Sequence, residues 1–190
     1  MKRVLLASVI LALLAGCSSG FEITGPDPAF RQLKCSAGHR GSGMVILLAQ
    51  SVHAVPAVPC LRTTPVDWTI AAFEPRNGRA HLGLTDTNDS MSFDADVLSE
   101  CARGAATESP SDQAGMRRYD QIRSSAGRYQ LDRYYTAPGA CVAFHFDGAG
   151  NHADRAAEEI MTAFGFITRN DIDLGIARES GGRLHLDPAP

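Results

Sequence analysis

Trp68-Thr69-Ile70-Ala71-Ala72-Phe73-Glu74-Pro75-Arg76-Asn77-Gly78-Arg79-Ala80-His81-Leu82-Gly83-Leu84-Thr85 carries the clearest structural instruction in the chain. Two apolar-alternating runs flank Asn77-Gly78. That dipeptide is the strongest short hairpin signal, because both residues tolerate the positive φ of a type I′ turn. A two-residue loop fixes the register. Phe73 is then expected opposite Leu82, Ala71 opposite Leu84, and Glu74 opposite His81. Directly opposed residues share a sheet face. The first four therefore form an apolar side for the core, and Glu74 and His81 lie on the other. Pro75, beside the turn, places the first strand at or near a sheet edge.

Working outward, residues 86–90 read as a polar turn. Met91, Phe93, Ala95 and Val97 then alternate with Ser92, Asp94 and Asp96, the pattern of a half-buried strand. Residues 102–115 form a long polar loop, a kind of segment that is commonly functional or mobile. Residues 117–123, 128–136 and 140–146 supply three more strands, with turns near Ser125-Ala126-Gly127 and at Pro138-Gly139. Before the hairpin, the apolar run 44–49 suits a strand buried on both faces or a short buried helix. After the last strand, Asn151 is placed to cap a helix. Ala153, Ala156, Ala157, Ile160, Met161 and Phe164 repeat at helical spacing, and Gly165 is placed to end it. Thr168 and Asp171 fit the N-cap and N3 of a second helix, with Ile167 and Ile172 as its hydrophobic staple. Gly181-Gly182 stops that helix, and Leu184 with Leu186 is a candidate edge strand. The expected fold class is α+β: a mostly antiparallel sheet of about six strands, with two C-terminal helices packed on one face.

The N-terminus has a different character. Lys2 and Arg3 precede the apolar run 4–14, and small residues lead into Cys17. A basic start, a short apolar core and small residues describe an export signal. The run is too short for a permanent bilayer span. Leu14-Ala15-Gly16-Cys17 resembles the lipobox of bacterial lipoproteins. That resemblance implies cleavage before Cys17, a diacylglyceryl thioether on its sulfur and an acylated new N-terminus. It divides the chain into a signal peptide at 1–16, a lipidated tether at 17–43 rich in Ser, Gly and Pro, and one extracytoplasmic domain at 44–190. Ala49-Gln50-Ser51-Val52, Val58-Pro59-Cys60, the Trp68 strand and Pro138-Gly139-Ala140-Cys141 are similar to uncharacterised lipoproteins of high-GC Gram-positive bacteria. This second resemblance implies a compartment and no activity.

Removing residues 1–16 takes away Lys2 and Arg3 and moves the formal net charge from −3 to −5. An acidic whole argues against nucleic acid as a partner. Besides Cys17, the cysteines are Cys35, Cys60, Cys101 and Cys141. An even number in an exported chain points to two disulfides with three possible connectivities. If the strands run up and down in order, an odd number of reversals separates the strand before Cys101 from the strand that Cys141 begins. The end of one then lies at the same sheet edge as the start of the other. Geometry favours Cys101 with Cys141 and leaves Cys35 for Cys60.

The candidate chemistry is sparse. Gly148-Ala149-Gly150-Asn151-His152-Ala153 matches a dinucleotide-binding pattern, but no acidic strand end follows about 20 residues on. A glycine-rich strand-to-helix turn explains it better, and no cofactor is expected. His145, Asp147 and His152 are ligand types that suit zinc, and the alternative is two exposed histidines with a turn aspartate. Asp86, Asn88 and Ser90 mimic a calcium loop, but Met91 and Val97 stand where it needs Gly and Glu. No Gly-x-Ser-x-Gly elbow is present to position a nucleophile. Arg117, Arg118, Arg123, Arg128 and Arg133 interleave with Tyr119, Tyr129, Tyr134 and Tyr135. Arginines pair with phosphate or carboxylate, and tyrosine rings can stack on sugars. Arg117, Arg118, Arg128, Arg133, Tyr129 and Tyr134 thus make a candidate ligand surface. The sequence leads to a lipid-anchored, non-enzymatic binding or scaffolding domain of the cell envelope, serving an anionic glycan or a protein partner. An envelope hydrolase with a site near His145, Asp147 and His152 is the alternative.

Overall fold

Arg76 and Arg79 pair across Asn77-Gly78, so the hairpin forms with the two-residue loop in place. These features come from a computed structural model, which describes residues 31–36 and 42–188. The signal segment, Cys17 and the tether up to residue 30 lie outside the described residues. Of the two turn residues only Gly78 has a positive φ, 82°. That is the sign pattern of a type II turn and excludes type I′. Phe73 lies opposite Leu82 and Glu74 opposite His81. Further along, the register shifts between Ile70 and Ala72, so Ile70, not Ala71, faces Leu84. Ala71 is the extra residue of a bulge and is exposed.

The strands of this hairpin are β2 (Trp68–Arg76) and β3 (Arg79–Asp86), with β1 (Ala57–Leu61) before them. Next come β4 (Met91–Leu98), β5 (Thr107–Ser109), β6 (Arg117–Ser125), β7 (Arg128–Ala137) and β8 (Ala140–Ala149). Strands β2 to β8 form one antiparallel seven-stranded sheet in the order β2-β3-β4-β8-β7-β6-β5. After β4 the chain crosses to the far edge and returns through β5, β6 and β7 to place β8 beside β4. This replaces the simple up-and-down order. Composition gives the reason: nearly every residue of β8 from Ala140 to Phe146 is buried, whereas most of β6 is exposed. The most apolar strand takes the centre, and the polar strands form the edge. The segment 102–115 contains β5, so it is not a loop throughout.

The expected six-stranded sheet with two helices is overturned. The described residues hold nine strands in two sheets and three helices. The second sheet is an antiparallel ribbon of β1 with β9 (Phe164–Thr168). Arg62 N donates to Ala163 O at 2.8 Å and Arg169 N to Pro56 O at 2.9 Å, closing the ribbon at both ends. Phe164 and Gly165 therefore begin a strand and are not the tail of a helix. A Cβ at Gly165 would meet the exposed, flexible Arg62 side chain, which would have to swing aside.

Residues 44–49 belong to helix α1 (Gly43–Ser51), which buries Met44, Val45, Leu48, Ala49 and Ser51 along one side. Helix α2 (Ala153–Ala163) turns Ala153, Ala157, Ile160 and Ala163 inward. His152, not Asn151, is its N-cap, and no side chain caps it. In helix α3 (Arg169–Ser180), Thr168 Oγ1 accepts from Asp171 N at 3.0 Å, and Gly181 ends the helix with φ 65°. Leu184 and Leu186 form no strand. Leu186 is buried, with its N–H donating to Asp173 Oδ1 at 2.7 Å.

The helices and the ribbon cover one face of the large sheet. Phe93 and Phe144 reach up to Phe164, with ring centroids 4.8 and 5.7 Å apart, and Phe144 also meets Phe166 at 5.9 Å. Disulfides join Cys35 to Cys60 and Cys101 to Cys141. The first holds residues 31–36 on the ribbon, where Leu33 is fully buried and Lys34 bridges Leu61.

Candidate binding surface on the open face

Alternation along each strand builds a second face. No described helix packs over it, but the 101–106 segment covers the end of it that carries Tyr119, Tyr134 and Ala143. His81 on β3 lies opposite Asp96 on β4, and His145 on β8 lies between Asp94 on β4 and Asp132 on β7. His81 Nδ1 donates to Asp96 Oδ1 at 3.2 Å, and His145 Nδ1 donates to Asp132 Oδ1 at 2.9 Å. Arg123 on β6 completes the row, 2.6 Å from the other Asp132 oxygen. Cations and carboxylates thus alternate across five strands. Burial raises the Asp94 carboxyl above its ordinary value, against the pull of His81 and with the push of Asp96. Further along, Arg128 donates twice to Asp147, and Gln130 Nε2 donates to it at 2.8 Å. The Arg128 bond, against a lesser effect of burial, holds the Asp147 carboxyl below its ordinary value.

At one end of this face lies a cleft of about 410 Å³ beside the Cys101–Cys141 bridge. Ser99, Glu100, Arg103, Arg117, Tyr119 and Thr136 line it. The Arg103 guanidinium sits 4.0 Å from the centre of the buried Tyr119 ring, within cation–π range. The Arg117 guanidinium lies 5.6 Å from the same ring and is held by both oxygens of Glu108.

The structure divides the six residues of the candidate ligand surface. Arg117, Arg128 and Tyr134 lie on the open face, whereas Arg118, Arg133 and Tyr129 share the face of Leu131 and Phe146. Arg118 and Arg133 both donate to Asp120, at 2.8 and 2.7 Å. Burial opposes it, but these two bonds hold the Asp120 carboxyl below its ordinary value. Nearby, burial and a bond to Asp112 push the Tyr135 hydroxyl up to about 12. Tyr129 packs against Phe146, and Tyr134 sets its ring edge on His145. No hydrogen bond or ion pair among the described residues joins His145, Asp147 and His152. His152 is exposed at the start of α2. No three described His, Cys, Asp or Glu side chains are gathered to hold a metal. Asp86 instead anchors its turn, accepting from the N–H groups of Asn88, Ser90 and Met91. In the glycine-rich turn, a Cβ on Gly148 would lie 2.8 Å from the Phe146 ring, so packing accounts for that glycine.

Sequence reading missed Arg103 and Thr136. The usable signal was local: Arg103 follows Cys101 by two residues, so any bridge from Cys101 brings Arg103 back to the sheet.

The family model described as a prokaryotic membrane lipoprotein lipid attachment site matches residues 1–18. Comparison with curated proteins and with solved structures gave no match. No helix of the described residues is long and apolar enough to cross a membrane. The chain is a membrane lipoprotein, held at the membrane by a lipid anchor.

Proposed function

We propose that this lipoprotein is a binding domain of the cell envelope that works without turnover and offers its open sheet face to an anionic glycan. In this reading residues 1–16 are cleaved, Cys17 carries the lipid, and residues 17–43 tether the domain, with the Cys35–Cys60 bridge docking part of the tether on it. The supporting observation is the state of the two histidines. Both His81 and His145 donate to carboxylates, and among the described residues neither has a hydroxyl partner to activate. Neither histidine is therefore set up as the base of a side-chain nucleophile, as a serine- or cysteine-type hydrolase would need. Planar His, Asp, Gln and Arg groups in a row suit the hydroxyl and acid groups of a sugar polymer.

The test uses the lipidated protein and envelope polysaccharides separated by charge. Retention of the acidic fractions, weakening as salt rises, with polymer length unchanged after incubation, is expected. A shortened polymer would replace this reading with the hydrolase. Retention of neutral fractions alone would contradict the charge argument.

A further inference from the structure

We infer that the cleft beside the Cys101–Cys141 bridge is the carboxylate-receiving subsite of this domain, with Arg103 as the group that takes the acid of a uronate-bearing glycan. The inference rests on the binding reading above and gives that reading a place. Every arginine on the strands of the large sheet has a carboxylate within 3.5 Å: Arg76, Arg79, Arg117, Arg118, Arg123, Arg128 and Arg133. Arg103 forms no ion pair with a described carboxylate, although Glu100 lines the same cleft and the Glu108 carboxyl, lowered first by its bond to Arg117, is lowered to a lesser extent by Arg103. Its guanidinium carbon lies 4.0 Å over the centre of the Tyr119 ring, and no hydrogen bond from its N–H groups to another described residue competes with a ligand carboxylate for them.

The position is fixed before any ligand arrives. Cys101 is bridged to Cys141 at a Cα separation of 5.8 Å, Ala106 N donates to Arg103 O at 3.0 Å, and Gly104 takes φ 54° to close the turn. A group ordered by folding need not be ordered by binding. The neighbouring Arg117 is already neutralised by Glu108, so it adds shape more than charge. Ser99 and Thr136 bring hydroxyls to the same cleft, suited to sugar hydroxyls. A volume of about 410 Å³ lies within the range of small-ligand sites. A lipid headgroup fits less well. Among the described residues, Leu47, Val66, Ile122, Leu174 and Leu184 are the exposed large apolar ones, and none lines the cleft. Membrane insertion needs such side chains.

The experiment titrates full-length lipidated protein in detergent micelles with D-glucuronate, D-glucose and inorganic phosphate, read by NMR of arginine side chains and backbone amides. Glucuronate should give saturable shifts at Arg103 and at residues 99, 119 and 136, and glucose should not. Arg103→Gln should weaken glucuronate binding about tenfold or more. Arg103→Lys, which keeps the charge and loses the fork, should fall between. Arg155→Gln, on the exposed side of α2, should match the parent. A thermal midpoint for each variant separates lost binding from lost fold. Shifts centred elsewhere, or unchanged binding by a folded Arg103→Gln variant, overturn the subsite. Phosphate binding tighter than glucuronate overturns the carboxylate assignment. If the cleft fails but the parent still retains acidic polymer, the subsite alone is wrong. If the parent retains no acidic polymer, the binding reading falls with it.

Discussion

On one face of the large sheet Phe93, Phe144 and Phe146 lie under Phe164, Phe166 and Ile160. One residue along the same strands, Asp94, His145 and Asp147 look out with no described element above them. The same backbone therefore serves two kinds of interaction. The covered face is held by apolar burial, which is non-directional and whose loss leaves a cavity. The open face is held by matched pairs, and exposed pairs contribute little to stability. Stability resides mainly on the first face, and the second is the proposed contact surface.

Phe93→Ala is the most direct way to break that contrast. Phe93 is fully buried between Phe144 and Phe164, and its truncation should cost about 3–5 kcal/mol in denaturant unfolding. A cost under about 1 kcal/mol would mean that the covered face is not the source of stability. Next is the bridge behind the cleft. The paired change Cys101→Ser with Cys141→Ser opens a loop spanning 40 residues and should cost roughly 3–4 kcal/mol in the chain-entropy picture. It should also release Arg103 from Tyr119, visible as loss of the Tyr119 ring shift in NMR.

Asp132→Ala sharpens the comparison from the open side. Its carboxylate is only 10% exposed and pairs with His145 and Arg123, so removal strands two partners and should cost about 1–3 kcal/mol. A loss as large as that of Phe93→Ala would remove the distinction between the faces. Acid gives a further reading. Burial would raise the Asp86 carboxyl, but bonds from Met91, Ser90 and Asn88 outweigh it and hold the group below its ordinary value. Its contribution is present above the unfolded carboxylate range and is lost as pH falls through the lower folded value. Stability followed from pH 6 to pH 2 should decline from about pH 4 downward, and Asp86→Asn should flatten the decline. The smallest effects belong to the hairpin. Gly78→Ala should cost about 1 kcal/mol because φ there is positive. Asn77→Val should cost about 0.5 kcal/mol or less, since Asn77 does not need a positive φ.

That last contrast shows what the sequence could and could not say. Asn77-Gly78 marked the hairpin and most of its register, because two-residue loops leave little choice. The Ala71 bulge was hidden, since an extra residue in an alternating run changes no composition. The strands of residues 91–97 and 140–146 were readable from their period. Their adjacency was not, because it depends on which strand is apolar enough to take the centre. Either topology puts an odd number of reversals between β4 and β8, so Cys101 and Cys141 share an end of the sheet in both, but only the observed adjacency of β4 and β8 brings their Cα atoms to 5.8 Å. Strand β9 was masked by Phe164, which also continues the spacing of α2. Strand β5 has three residues inside a polar run and pairs only at the edge. The cleft was illegible for a related reason. Arg103 and Tyr119 are far apart in sequence, and only the bridged crossover brings them together.

The division of labour between the faces can be measured by hydroxyl-radical footprinting of the lipidated protein, with and without an acidic envelope polysaccharide. His81 and His145 should oxidise in the free protein and be protected by the polymer. Ile122 and Leu174, exposed but off the open face, should oxidise equally in both states. Protection of Ile122 or Leu174 with His81 and His145 unchanged would contradict the account.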